Sequence, residues 1–413
     1  MQQRCCLFCI LLALCYVFIS SSLAAAAPAE IPAPPPTQGE AVLLMDAHSG
    51  RVLYEKNGHQ RMSPASVTKI MTGLLVIENG NLNQAVEISK NAAATPESSV
   101  WLEEGEIITV SQLLYALMLN SANDASVALA ESVAGSVESF VELMNRRARE
   151  LGMNNTNFRN PHGLEEVGHY TTAYDLALVS REAMTYQAFS RIVATKTYKI
   201  PWANNDYQRL LINKNRLLWR YDGAVGIKTG YTKQAGNCVV GAAQKGPLML
   251  IAVSLNSPTV YPDLQALFDY GFANYHLLTV KEAAQLSVEV PVINGQEKTV
   301  PAFPKTDLKV AVTEAEESRT SYTVQIDDTI TAPVSEGQAV GICRIHVGDK
   351  EAGIVELVAG TSVGEKPFQW ERFISAAVEV IIILLKAFLV IFCILYLIRI
   401  INLRRRKRRV YRR

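Results

Sequence analysis

The chain has 413 residues, 49% of them apolar and 19% charged, with 24 Gly, 17 Pro and a formal net charge of +1. These values exclude a disordered, collagen-like or disulfide-dense protein, and the length favours two or three domains. The near-neutral balance averages unlike parts: Glu30–Arg372 carries 29 basic and 38 acidic residues, net −9, whereas Arg399–Arg413 holds nine Lys/Arg and no acid.

Residues 1–27 read as a signal peptide. Arg4 supplies a short basic start, Cys5–Ile19 is apolar, and Ser20–Ala29 is a run of small residues suited to cleavage near Ala25–Ala27. An N-terminal membrane anchor is the competing reading, but the apolar run is short for a span. Cys5, Cys6, Cys9 and Cys15 would leave with the signal. Cys238 and Cys343, in different predicted domains, are too few for a disulfide framework. No Cys/His spacing suits a structural zinc, so no metal or other cofactor is expected.

A Pro-rich linker over residues 28–38 leads into a first domain, residues 39–282. Glu40–Met45 and Val52–Tyr54 flank a loop ending in Gly50 and predict a strand hairpin. Helical patterns follow from Ser66 to Glu78 and at Val110–Asn120, Asn123–Ala134, Val137–Leu151 and Thr172–Ala183, and strand character returns at Ala224–Lys228, Cys238–Ala243 and Met249–Leu255. Strands, a block of helices, then strands predict an α+β fold in which early and late strands share one helix-covered sheet. Residues 283–368 change texture: short β-rich runs at Ser287–Val292, Leu308–Thr313, Ser321–Ile326, Ala339–Val347 and Ile354–Val358 are divided by turn signals such as Asn294-Gly295 and Gly348-Asp349, predicting a small all-β domain. It holds no candidate nucleophile and base, and it reads as a spacer rather than a protein-binding module.

Residues 373–398 are long and apolar enough to span a bilayer, and the basic tail at 399–413 places that end in the cytoplasm and the rest of the chain outside. Glu379 and Lys386 lie seven apart on one helical face. An amphipathic helix lying on the surface is the alternative, but the runs Ile381–Leu385 and Ala387–Ile398 are apolar all round. The tail is a topology and anionic-lipid signal, with no nucleic-acid partner expected.

Three motifs occur in order in the first domain. Ser66-Val67-Thr68-Lys69 opens a helix, Ser121-Ala122-Asn123 sits at a break between helices, and Lys228-Thr229-Gly230 ends an apolar strand. A chain of this length contains about one S-x-x-K by chance, so each motif alone has a bland reading: Ser66 as an N-cap with Lys69 in solvent, Ser121 and Asn123 as caps, Lys228 at an exposed strand end. Together they describe a nucleophile and its helpers. One helical turn brings Lys69 to the Ser66 hydroxyl, and Lys69 can take its proton if burial and a second cation, Lys228, depress its pKa. The Ser66 amide and an amide just after Gly230 can bind an oxyanion. Ser121 can relay a proton, Asn123 can hold Lys69 or a substrate amide, and Lys228 with Thr229 can grip a carboxylate.

This constellation is a recognised signature of penicillin-binding proteins and class A β-lactamases. The sequence resembles the low-molecular-mass penicillin-binding proteins, serine D-alanyl-D-alanine carboxypeptidases, across about residues 38–368. Further matching stretches are Asn160-Pro161-His162-Gly163-Leu164, His169-Tyr170-Thr171-Thr172 and Asp222-Gly223-Ala224-Val225-Gly226-Ile227 before Lys228. The resemblance implies a transpeptidase-like α+β domain, a C-terminal β domain, Ser66 as the acylated nucleophile, Lys69 as general base, Ser121 and Asn123 as the second element, Lys228 and Thr229 as the carboxylate grip, and the Ser66 and Tyr231 amides as oxyanion hole. It implies no catalytic His, so His162 and His169 are taken as structural. The expected substrates are peptidoglycan stem peptides ending in D-Ala-D-Ala, with β-lactams as covalent inhibitors. Two departures stand out: many relatives end in an amphipathic surface helix where this chain has a span-like segment, and Ser-Ala-Asn replaces the Ser-Asp-Asn commoner in β-lactamases. The competing readings are a β-lactamase, a transpeptidase or endopeptidase, and a non-catalytic cell-wall peptide or β-lactam binder.

Overall fold

The computed structural model describes residues 32–410 except Asn204, Asp328, Thr329, Phe368 and Gln369. The predicted signal peptide and the last three residues of the basic tail lie outside them. The chain divides into two units, one running to residue 287 and taking in 303–326 and 341–358, the other comprising 288–302, 327–340 and residues from 359 onward.

In the first unit, an antiparallel sheet of five strands runs in the order Val52–Lys56, Ala41–Asp46, Leu248–Leu255, Gly236–Lys245, Ala224–Thr232. The early hairpin therefore joins the late strands in one sheet, as the sequence pattern predicts. Side chains alternate between its faces. Ala41, Leu43 and Met45 enter a core shared with helices Lys69–Asn79, Asn123–Ala134 and Ala173–Thr185. Val42 and Leu44 enter a second core closed by Leu264, Leu267 and Phe268 of helix Val260–Asn274. Burial on both faces is why the central strands read as continuous apolar runs.

Two predicted helices are subdivided. Ser66 lies in a short 3-10 turn, Ala65–Thr68, with the α-helix beginning at Lys69. Val110–Asn120 starts as an α-helix with a Thr109/Gln112 capping box and widens into a π turn at Ala116–Asn120, which ends at Ser121 in the left-handed conformation, φ 63°. The same unit holds three further pairings: Ala85–Glu87 with Ile107–Thr109, Thr197–Ile200 with Arg209–Ile212, and His276–Lys281 with Leu308–Val312, the last of these strands being the one among the six that the pattern marks. Thr320–Ile326 pairs antiparallel with residues 341–347.

In the second unit, Val288–Ile293 pairs antiparallel with Thr299–Pro304 and parallel with Ile330–Thr331. The chain closes with helix Trp370–Val410, of which Phe373–Arg405 is long and apolar enough to cross a membrane.

Candidate active site

The 3-10 turn bearing Ser66, the π turn ending at Ser121 and the edge strand bearing Lys228 come together around a cleft of about 390 Å³. Its lining includes Ser66, Ser98, Ser121, Thr229, Gly230 and Tyr231. Two non-glycine residues here hold the left-handed backbone that side chains disfavour, Ala65 at φ 50° and Ser121 at φ 63°. Each sits where a turn must reverse to aim a serine at the cleft. Strain at such positions persists only when the surroundings over-determine it.

Lys69 is fully buried, and its ammonium nitrogen meets three neutral oxygens: Ser66 Oγ at 3.0 Å, Asn123 Oδ1 at 2.7 Å and the His162 carbonyl at 2.7 Å. Burial, the nearby charge of Lys228 and that of Lys214 push its pKa well below the ordinary lysine value. Lys228, equally buried, donates to the Thr229 carbonyl at 3.0 Å, and burial with the Lys214 charge lowers its pKa to about 7. Asn123 is locked in turn, its amide nitrogen donating to the Pro96 carbonyl at 2.8 Å and its backbone N–H to the Ser98 carbonyl at 2.6 Å. With that side-chain nitrogen engaged, the oxygen is left facing Lys69.

Two glycines explain how backbones approach so closely. A Cβ on Gly230 would stand 2.9 Å from the Ser66 amide nitrogen, so only glycine lets the strand lie against the Ser66 turn. A Cβ on Gly163, φ 88°, would fall 1.9 Å from the Ala65 carbonyl oxygen. That loop is further tied to the helix by Thr72, whose hydroxyl donates to the Pro161 carbonyl at 2.6 Å, and is braced internally by Asn160, which accepts from the Gly163 N–H at 2.7 Å. The ties place the His162 carbonyl on Lys69.

His162 and His169 do not form a triad with Ser66. The His169 Nδ1 accepts from the Arg159 N–H, which leaves Nε2–H to donate to Thr68 Oγ1 at 3.0 Å. Burial, reinforced at His162 by the Lys69 charge, holds their pKa values at about 3 and about 4, so both rings are neutral at pH 7. The Glu165-Glu166 pair is engaged away from Ser66, with Glu165 accepting from the Gln234 N–H and Glu166 from Asn160.

The structure thus brings together Ser66, Lys69, Ser121, Asn123, Lys228, Thr229, Gly230 and Tyr231. Sequence reasoning passed over the His162 main-chain carbonyl, Ser98, Lys214 and Arg216, which also belong to the cleft or its base. A main-chain carbonyl has no residue signature, and Lys214 stands in a polar loop without periodicity. The Asn160-Pro161-His162-Gly163 turn was the available signal, since an Asn and a Gly at that spacing mark a fixed turn.

Over residues 28–259 the sequence matches the D-alanyl-D-alanine carboxypeptidase family, and over residues 275–365 the family penicillin-binding protein 5, C-terminal domain. It is 35% identical to D-alanyl-D-alanine carboxypeptidase DacF of Bacillus subtilis (strain 168), over 74% of this chain and 80% of that protein. It is 32% identical to D-alanyl-D-alanine carboxypeptidase DacC of Escherichia coli (strain K12), over 86% and 91% respectively. The fold is similar to penicillin binding protein 5 from Haemophilus influenzae, with TM-score 0.63 and 29% identity over 81% of this chain and 99% of that one. A mutant of Streptomyces K15 DD-transpeptidase is similar over 58% of this chain and 99% of its own, with TM-score 0.55 and 35% identity.

Proposed function

Because this chain belongs to the D-alanyl-D-alanine carboxypeptidase family of serine peptidases, we propose that it removes the terminal D-Ala from peptidoglycan stem pentapeptides through an acyl-enzyme on Ser66. The observation that carries the reading is the Lys69 amine: buried, held 3.0 Å from Ser66 Oγ, bonded only to neutral oxygens and depressed in pKa. An amine in that state accepts a proton at neutral pH.

In the proposed reaction, Lys228 and Thr229 hold the substrate's terminal carboxylate. Lys69 takes the Ser66 proton as Oγ bonds to the penultimate D-Ala carbonyl carbon. The amides of Ser66 and Tyr231 stabilise the oxyanion, with Gly230 allowing the two backbones to approach. When the tetrahedral intermediate collapses, the C–N bond breaks and the leaving amine receives a proton relayed through Ser121 from Lys69. Water, deprotonated by the same lysine, then attacks the ester, and Ser66 leaves with a proton to complete hydrolysis. Penicillins present a carbonyl and a carboxylate in the same relation and acylate Ser66 by the same first half. Glu165 and Glu166, engaged by Gln234 and Asn160, weigh against the β-lactamase reading.

We assign residues 39–282 to catalysis and 283–368 to a β spacer, with residues 373–398 spanning the membrane and the basic tail on the cytoplasmic side. Incubating the full chain in detergent with a D-Ala-D-Ala-ended pentapeptide should release D-Ala, followed by mass spectrometry, and labelled penicillin should attach to the wild type but not to Ser66→Ala. Release of free D-Ala with transfer of the remaining tetrapeptide acyl group to an added amine acceptor would make the enzyme a transpeptidase. Binding without release would make it a non-catalytic binder.

A further inference from the structure

Beside the cleft, two loops of the first unit present aromatic rings to solvent. Trp101 is 67% exposed and Tyr207 62%. The Trp101 and Trp202 rings are nearly parallel, 8° apart in plane with centroids 6.4 Å apart, and Tyr207 meets Trp202 edge-on at 5.5 Å. This surface is held firmly. The Arg209 guanidinium lies 5.0 Å from the Trp202 ring centroid and donates to the Trp101 carbonyl at 2.7 Å. The Asp124 carboxylate, next to Asn123 in the chain, accepts from Ser99 Oγ at 2.6 Å and from the Val100 and Leu102 N–H groups at 3.1 Å. The result keeps Trp101 at φ 57°, a left-handed conformation that a bulky side chain disfavours. A large apolar ring, exposed and fixed in a costly backbone, contributes little to the fold.

We infer that the Trp101/Trp202/Tyr207 surface binds the glycan strand of the substrate. A pyranose presents C–H bonds on its face, and these match the negative face of an aromatic ring. Exposed Glu104 and Asp206, adjoining the aromatics in sequence, supply acceptors for sugar hydroxyls. The same acidic rim disfavours anionic lipid or nucleic acid, and Arg209 beneath it is taken up by Glu106. Continuity with the cleft fixes the scale. Trp101 follows Ser98, a cleft residue, by three positions, so their Cα atoms are at most about 11 Å apart. Four stem-peptide residues between the scissile bond and the sugar extend roughly 14 Å. A peptide seated at Ser66 thus has the length to bring its sugar to this region. The inference rests on the stem-peptide reading above.

Two measurements on the full chain in detergent test it. Titration with a β-1,4-linked N-acetylglucosamine tetramer should give saturable change in tryptophan fluorescence in the wild type, lost in Trp101→Ala and regained in Trp101→Phe, with an unchanged far-UV circular dichroism spectrum. The ratio of kcat/KM on disaccharide-linked pentapeptide to that on free pentapeptide should fall about tenfold in Trp101→Ala/Trp202→Ala. No tetramer binding by the wild type, or an unchanged ratio, overturns the proposal. So does a loss confined to binding of phosphatidylglycerol vesicles or sugar-free peptide. Tetramer binding is read without turnover, so a wild type inactive on free pentapeptide would defeat the assigned reaction alone.

Discussion

Two places in the first unit bury cations, and they do so in opposite ways. At one, Arg209 meets Glu106 through hydrogen bonds of 2.6 and 2.8 Å, with both side chains 3% exposed. Burial opposes ionisation of Glu106, but the bonds from Arg209 and the Glu103 N–H prevail and hold its carboxyl below the usual range. At the other, Lys69 and Lys228 are bonded to neutral oxygens, and burial with neighbouring positive charge drives both amines down. A buried cation beside a carboxylate stays charged and fastens two loops. One ringed by carbonyls and other cations is ready to give up its proton, which is what the base of a serine nucleophile requires.

The largest expected effect separates these roles directly. Arg at position 69 keeps the charge and cannot shed it, so Lys69→Arg should slow acylation by labelled penicillin about 10²–10⁴-fold. The thermal unfolding midpoint should stay near that of the wild type. A folded Arg variant acylating at the wild-type rate would erase the distinction between the two sites.

Arg209→Met attacks the other site. It strands the Glu106 carboxylate in the interior and should cost about 3–5 kcal/mol in urea unfolding, with part of the loss regained in Arg209→Met/Glu106→Leu. Because the folded-state pKa of Glu106 is lowered, the pair's contribution is present above the unfolded carboxyl pKa and disappears as pH falls through the folded one. The stability gap between wild type and Arg209→Met should therefore narrow in acid. A gap independent of pH would show that the pair stabilises by packing and not by charge.

The smallest effect sharpens the cationic cluster. In the wild type, kcat/KM on a carboxylate-ended peptide should decline as pH rises past about 7 and Lys228 loses its proton. Lys214 lowers the pKa of both Lys69 and Lys228, so Lys214→Gln should raise both and move the rate profile to higher pH, with severalfold lower activity on its acid side. An unmoved profile in a folded variant would remove Lys214 from the electrostatics of the site.

Much of the site was legible because its signals are local. Ser66 and Lys69 are three residues apart, close enough to meet whether the turn is α or, as here, 3-10 before the α-helix begins. Ser121-Ala122-Asn123 announced a break, although apolar periodicity carried on smoothly through Ala116–Asn120 and gave no warning of the π turn that sets Ser121 left-handed. The hairpin and the three late strands were legible from alternation and apolar runs, as was their sharing one sheet, but the strand order was set by the tertiary structure. Short pairings such as Thr197–Ile200 with Arg209–Ile212 were not, since four residues hold too little pattern to separate a strand from a loop.

What lay beyond reach depends on distant chain segments. Lys69 meets Asn123 across 54 positions and the His162 carbonyl across 93, and Arg209 meets Glu106 across 103. By itself the amino-acid sequence determined the α+β class, a C-terminal segment able to span a membrane, and a Ser66–Lys69 spacing that one turn brings into contact, because spacing within a turn or a strand is written in neighbouring residues. Tertiary structure decided that Lys69 and Lys228 are buried and depressed in pKa while Arg209 is paired with Glu106. Desolvation and charge–charge distance exist only after the segments have packed, and the same residue type takes either role according to what packs against it.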